Sequence, residues 1–162
     1  MDTQTQKEQV YKLSPSSLTY LYHECKRCFY NQIKYGLYRP DNPFPSIFNI
    51  IDKEMKQHYL GKETHEEVEG MPAGQFLTQD VGVKSALIHF KKSGNTFVIK
   101  GTLDTLVGWR DENSYGIIDF KCSNPSEKSI AYYDYQLAAY AYSCKYPANG
   151  MSLYPNIKTN GL

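Results

Sequence analysis

The order in which hydrophobic periodicity changes along this chain predicts an α/β fold. Apolar residues recur at spacings of three and four near the beginning, fall into short β-rich runs from residue 84, and return to helical spacing toward the end. A mixed central sheet, a meander of three to four strands, is therefore expected between flanking helices. The length of 162 residues suits one domain. With 41% hydrophobic and 22% charged residues the chain can bury a core, which excludes disordered and collagen-like classes.

The first element follows a polar leader, residues 1–12, expected to be disordered and to precede a single domain over 13–162. Ser14 is placed to cap a helix and Pro15 to occupy its first turn. Leu18, Leu21, Tyr22, Cys25, Phe29 and Ile33 then mark one apolar face as far as Gly36. Arg39 to Pro45, with three prolines, reads as a connector because proline removes a donor and restricts the residue before it. A second amphipathic helix carries Phe48, Ile51, Met55 and Tyr59, with Asp52 near the edge of its buried face. The acidic run Glu63, Glu66, Glu67 and Glu69 reads as a solvated face or loop.

Strands are expected at 86–90, 96–99 and 103–107, divided by Ser93-Gly94-Asn95 and Gly101. Asp111-Glu112-Asn113 predicts a turn before the best strand, 115–121, which Asn124-Pro125-Ser126 breaks. A last helix from about Ile130 to Lys145 places Tyr133, Leu137, Tyr140, Ala141 and Cys144 along one side, and Pro147 closes it.

Net charge is +1, from 18 Lys+Arg against 17 Asp+Glu, so any nucleic-acid site has to be local. The sequence shows neither a signal peptide nor a membrane anchor, and a cytoplasmic location is expected. Four cysteines are too few for a disulfide scaffold. Cys25 and Cys28 form a CxxC, read as core-facing small hydrophobes rather than metal ligands. His23, His58, His65 and His89 share no ligand spacing.

Asp104, Asp119-Phe120-Lys121, Gln136 and Tyr140 are the residues placed to do chemistry. Residues two apart on a strand share a face, so Asp119 and Lys121 point together while Phe120 faces the opposite layer. If the preceding strand pairs as a meander, Asp104 comes beside Asp119. Two converging carboxylates repel unless a cation neutralises them, and hard oxygen ligands select Mg²⁺ or Mn²⁺. Such a metal suits phosphodiester hydrolysis, with a nearby lysine steadying the nucleophile or the developing charge. Gln136 and Tyr140, four apart on one helix face, can serve the site or a nucleic-acid backbone.

Gly101-x-x-Asp104, Asp119-x-Lys121 and Gln136-x-x-x-Tyr140 follow Leu13-Ser14-Pro15-Ser16-Ser17-Leu18 and Cys25-Lys26-Arg27-Cys28-Phe29-Tyr30. Together they resemble the PD-(D/E)XK nuclease superfamily in its RecB-like branch, over about residues 13 to 146. The resemblance implies a restriction-endonuclease-like core and a Mg²⁺- or Mn²⁺-dependent deoxyribonuclease with DNA as partner, in repair or recombination. Asp104 and Asp119 would hold the metal with the Phe120 carbonyl, Lys121 would be the catalytic lysine, and Gln136 and Tyr140 the accessory pair. The branch adds a ligand from the preceding helix, for which Asp52 is the nearest residue, with Glu54 and His58 behind it.

An iron–sulfur cluster is not expected, because relatives that bind one carry a cysteine cluster beyond the last helix. The family core also has a further strand after that helix, which Met151 to Leu162 is not expected to supply. The C-terminal end then reads as cut short, and a sheet edge would be left for a protein partner or a second copy.

Asp119 and Lys121 taken alone equally describe an exposed ion pair, and the tyrosines around the last helix equally describe packing or a base-stacking surface. The function of a different class is a catalytically inactive nucleic-acid-binding or assembly module with the same fold. A plain structural domain is a third.

Overall fold

The computed structural model describes residues 9–40, 43, 45–110, 113–122, 127–152, 154 and 156–161. Residues 1–8 of the expected leader, Asp111 and Glu112 of the expected turn, and the break at Asn124-Pro125-Ser126 lie outside the described residues. Residues 10–12 of that leader, however, belong to strand β1 (Val10–Leu13). It runs parallel to β5 (Asn95–Leu103), with Val10 opposite Thr96 and Leu13 opposite Ile99. Four residues are too few for their own periodicity to mark a strand, and the partner is distant in sequence.

Ser14 does cap the next element, its Oγ accepting the Ser17 N–H at 3.2 Å. The single helix expected from there to Gly36 is divided in two. Ser17–Leu21 winds as a π-helix into a short α-turn, α1 (Tyr22–Glu24), and Cys25 then breaks the helix with φ −155° and ψ 97°. In that extended conformation the Cys25 Sγ accepts the Cys28 N–H at 3.3 Å and starts α2 (Lys26–Tyr35) as an N-cap. A side chain that satisfies a free backbone donor competes with continuing the helix. Gly36, at φ 67°, ends α2 in the left-handed region.

Two helices follow, α3 (Ser46–Tyr59) and the short α4 (Thr64–Glu67). The apolar stripe expected to bury α3 does so only in part, with Phe48, Met55 and Tyr59 half-buried. Ile51 is 37% exposed, whereas Lys56 is buried at 8%. The helix is fastened by Lys56 and by Tyr59, whose ring lies against Phe76 and stacks on Phe120 at 5.3 Å. The acidic run is less free than expected. Glu67 pairs with Lys62 and His58, and Glu63 pairs with Arg110 at 2.6 Å.

Among the described residues the strands form two four-stranded sheets rather than one meander of three to four strands. The first has the order β1-β5-β3, with β4 (Ile88–Phe90) also paired to β5 and β3 spanning Val81–Lys84. The second has the order β2-β6-β7-β8, built from Gly74–Phe76, Thr105–Trp109, Ser114–Ile118 and Ile157–Gly161. Residues 74–76 and 81–84 escaped periodicity analysis because each strand is short and contains glycine. The strand expected to be missing after the last helix is present. β8 lies parallel to β7 and covers the edge expected to be bare, with Ile157 opposite Tyr115. Its polar Lys158-Thr159-Asn160 segment shows no strand alternation, and pairing rather than composition defines it.

The last helix, α5 (Glu127–Lys145), buries Leu137, Tyr140 and Cys144 against Leu103, Leu106 and Ile117. On the other face of the second sheet, Phe76, Val107 and Ile118 pack with Tyr59, Met71, Trp109 and Phe120. The sheet therefore lies between α5 and the end of α3, the layered α/β arrangement expected. No helix among the described residues is long and apolar enough to cross a membrane.

Candidate active site

Asp104 occupies the bend between β5 and β6, where the chain leaves one sheet for the other. β6 and β7 pair antiparallel with Thr105 opposite Ile118, so Asp104 and Asp119 meet just past the end of that ladder. The Phe120 N–H donates to Asp104 Oδ2 at 2.8 Å, locking the two segments together. The meander pairing inferred for this part of the chain is the one observed. Asp119 and Lys121 form an ion pair, although the strand expected over 115–121 ends at Ile118 and both residues lie beyond it. Phe120 turns the other way, onto Tyr59.

Asp119 is nearly sealed from solvent at 2% exposure. Burial is the largest influence on its carboxyl and pushes the pKa up to about 6. Lys121 opposes that rise, and the Asp104 carboxylate within hydrogen-bonding reach adds to it. Lys121 Nζ also lies 5.0 Å from the centre of the Tyr133 ring, whose edge meets Tyr20.

The two α5 residues support the carboxylates from behind. Gln136 Nε2 donates to Asp119 Oδ1 at 3.0 Å. Tyr140 does not reach Asp119; its hydroxyl donates to the Thr102 carbonyl at 2.6 Å, two residues before Asp104. Burial pushes this phenol's pKa up to about 12, so it remains a donor. The pair thus positions both aspartates, one directly and one through the β5 backbone.

The first residue of the Gly-x-x-Asp motif has a packing role. A Cβ on Gly101 would stand 2.8 Å from Pro15 Cδ and 3.2 Å from Tyr140 Cε1. Gly101→Ala is expected to destabilise the chain by about 1–3 kcal/mol, read as a lower urea midpoint at unchanged slope. A midpoint equal to that of the parent would show that the contact does not matter.

Sequence reasoning missed Lys56. Its ammonium contacts Asp52 Oδ2 at 2.8 Å, Asp80 Oδ1 at 2.8 Å and Asp104 Oδ1 at 2.9 Å. Burial works to lower the lysine's pKa, but the hydrogen bonds to those three carboxylates outweigh it and hold the pKa above its ordinary value. The one signal in the sequence was the i,i+4 spacing of Asp52 and Lys56. Asp80 was not legible at all. It has a positive φ of 50°, which aspartate tolerates better than most residues, and its N–H donates to the Asp104 carbonyl at 2.9 Å. Of the three helix positions considered, Asp52 is the one at this cluster. His58 pairs with Glu67 instead, and Glu54 is exposed.

Among the described residues no three His, Cys, Asp or Glu side chains are already gathered as a metal-ligand set. The oxygen donors nevertheless fit a hard divalent cation. Four carboxylates, Asp52, Asp80, Asp104 and Asp119, face two ammonium groups, Lys56 and Lys121, so four negative charges less two positive leave −2 when all are ionised. Gln136 Oε1 is buried without a hydrogen-bond partner, and the buried Asp119 Oδ2 has the Lys121 ammonium as its partner. An uncompensated charge of that size beside a buried carboxylate and an unpartnered amide oxygen is what a divalent ion would neutralise.

A family model for the PD-(D/E)XK nuclease superfamily matches residues 49–153, a span that contains every residue of this cluster. No curated protein matches the chain.

Proposed function

The chain belongs to the PD-(D/E)XK nuclease superfamily, and from that premise we propose that it is a RecB-like deoxyribonuclease that hydrolyses DNA phosphodiester bonds with Mg²⁺ or Mn²⁺. Membership implies a metal-dependent nuclease with a nucleic-acid partner. The observation that carries the finer reading is the convergence of Asp104, Asp119 and Lys121 at the end of the β6–β7 ladder.

Asp104, Asp119 and the Phe120 carbonyl would hold the metal, with Asp52 nearby on α3. When bound, the ion supplies a polarised phosphate oxygen and a more acidic water. Lys121 stands beside Asp119 with its ammonium partly open to solvent, placed to meet the attacking oxygen or the charge that builds on phosphorus. Gln136 holds Asp119 in orientation, and Tyr140 holds the strand that delivers Asp104. Tyr20 and Tyr133 extend the cluster outward toward a cleft of about 310 Å³ that Tyr20, Tyr38 and Arg39 line. Exposed tyrosines beside a guanidinium suit unpaired bases and a phosphate. A role in repair or recombination and a cytoplasmic location belong to the same proposal.

The test is cleavage of labelled single- and double-stranded DNA with Mg²⁺ or Mn²⁺, comparing the parent with Asp119→Ala and Lys121→Ala. Each substitution is expected to slow cleavage by at least about 100-fold. Cleavage that survives both would overturn the catalytic assignment. DNA binding by the parent without turnover in either metal would favour the inactive module, for which the fixed Lys56 ammonium among three carboxylates is the supporting observation.

A further inference from the structure

Away from the carboxylate cluster, we propose that Cys25 and Cys28 form a redox-active dithiol that exchanges with small-molecule disulfides of the glutathione type, Cys25 attacking and Cys28 resolving. Both thiols are free and half-buried, so neither is sealed in the core as the sequence suggested. Cys25 is the N-cap of the ten-residue α2, its sulfur held at 3.3 Å from the Cys28 N–H. Residues three apart on a helical turn have Cα atoms about 5 Å apart, inside the range of about 4.4–6.8 Å that a disulfide spans.

Arg39 supplies the second half of the site. Its guanidinium interacts electrostatically with both thiols while its Nη1 pairs with Glu24 at 2.7 Å. A thiolate at a helix N-terminus beside a guanidinium is stabilised by the free backbone donors and by the positive charge. The hydrogen bonds from Cys28, with Arg39 adding to them, bring the Cys25 thiol down to about 7. Cys144 is the opposite case, buried against Leu103 and pushed up to about 11.

The exchange balances as follows. The Cys25 thiolate attacks one sulfur of the incoming disulfide, forms a mixed disulfide and releases one thiolate, which takes up a proton. Cys28 loses its proton and attacks the Cys25 sulfur, closing the intramolecular bond and releasing the second thiol. The dithiol is oxidised by two electrons and the small disulfide is reduced to two thiols. Arg39 then faces a neutral disulfide in place of a thiolate, which frees it toward the cleft that it lines with Tyr20 and Tyr38.

The full chain would be equilibrated with glutathione and glutathione disulfide, quenched with N-ethylmaleimide and mapped by mass spectrometry. Expected are a chain lighter by two hydrogens, a Cys25–Cys28 cross-linked peptide, and an alkylated Cys122. Cys28→Ser is expected to accumulate glutathione on Cys25, and Arg39→Gln to slow alkylation of Cys25 at pH 7 severalfold. Full alkylation of Cys25 and Cys28 after equilibration with glutathione disulfide would overturn the proposal. So would zinc that purifies with the chain and shields both thiols until a chelator removes it. None of these readings depends on DNA cleavage.

Discussion

Replacing Lys56 with methionine is expected to destabilise the metal-free chain by about 2–4 kcal/mol and to make its stability depend steeply on divalent cations. Lys56 is the buried ammonium that Asp52, Asp80 and Asp104 share. Removing one partner of a buried ion pair typically costs about 3–5 kcal/mol, because the other charge stays buried and uncompensated. The Asp80 and Asp52 side chains are 59% and 42% exposed and can rehydrate, which sets the value below that range. Asp104, with its side chain only 16% exposed, cannot do so to the same degree. In the variant the cluster would carry four negative charges against Lys121 alone, so Mg²⁺ should recover much of the loss. Urea denaturation of both chains in EDTA and in millimolar Mg²⁺ measures this. Equal stabilities in EDTA would show that the lysine does not hold the cluster together.

Asp119→Asn is expected to abolish cleavage and yet leave the metal-free chain more stable at pH 8, by up to the order of 3 kcal/mol. Burial raises the folded carboxyl to about 6, above its unfolded value, so holding it ionised costs stability at every pH above about 6. That cost is relieved as pH falls through 6 toward the ordinary carboxylate range. Asparagine keeps an acceptor for Gln136 and removes the buried charge. It leaves Lys121 without its partner, but that side chain is 23% exposed and can turn to water. The contribution of Asp119 to parental stability should accordingly grow between pH 7 and pH 5 and be absent from the asparagine chain. Thermal melts of both chains in EDTA across that range check the sign. A variant less stable than the parent at pH 8 would mean that the pair with Lys121 outweighs the burial of Asp119.

The candidate site was more legible than the fold around it. Asp104, Asp119 and Lys121 came together as inferred because the antiparallel β6–β7 pairing brings the residues just beyond its end side by side, although β7 stops at Ile118. Gln136 and Tyr140 were correctly assigned to one helix face, but their different targets, a carboxylate and a backbone carbonyl, depend on how α5 lies across the sheet. On α3 the apolar spacing held at Phe48, Met55 and Tyr59 but not at Ile51. Ile51 remains exposed while the charged Lys56 turns inward, since three carboxylates from elsewhere compensate the cost of burying it.

By itself the sequence determined the α/β class, the Ser14 cap, the apolar face of α5 and the convergence of Asp104, Asp119 and Lys121, all consequences of periodicity and near-neighbour chemistry. Only the tertiary structure decided that Asp104 is the joint between two sheets, that Lys56 and Asp80 belong beside it, and that β1 and β8 exist as strands. Each of those outcomes rests on partners far apart along the chain. Short segments such as Val10–Leu13 and Ile157–Gly161 become strands because a neighbour's backbone takes up their hydrogen bonds, and a buried lysine is stable because distant carboxylates surround it.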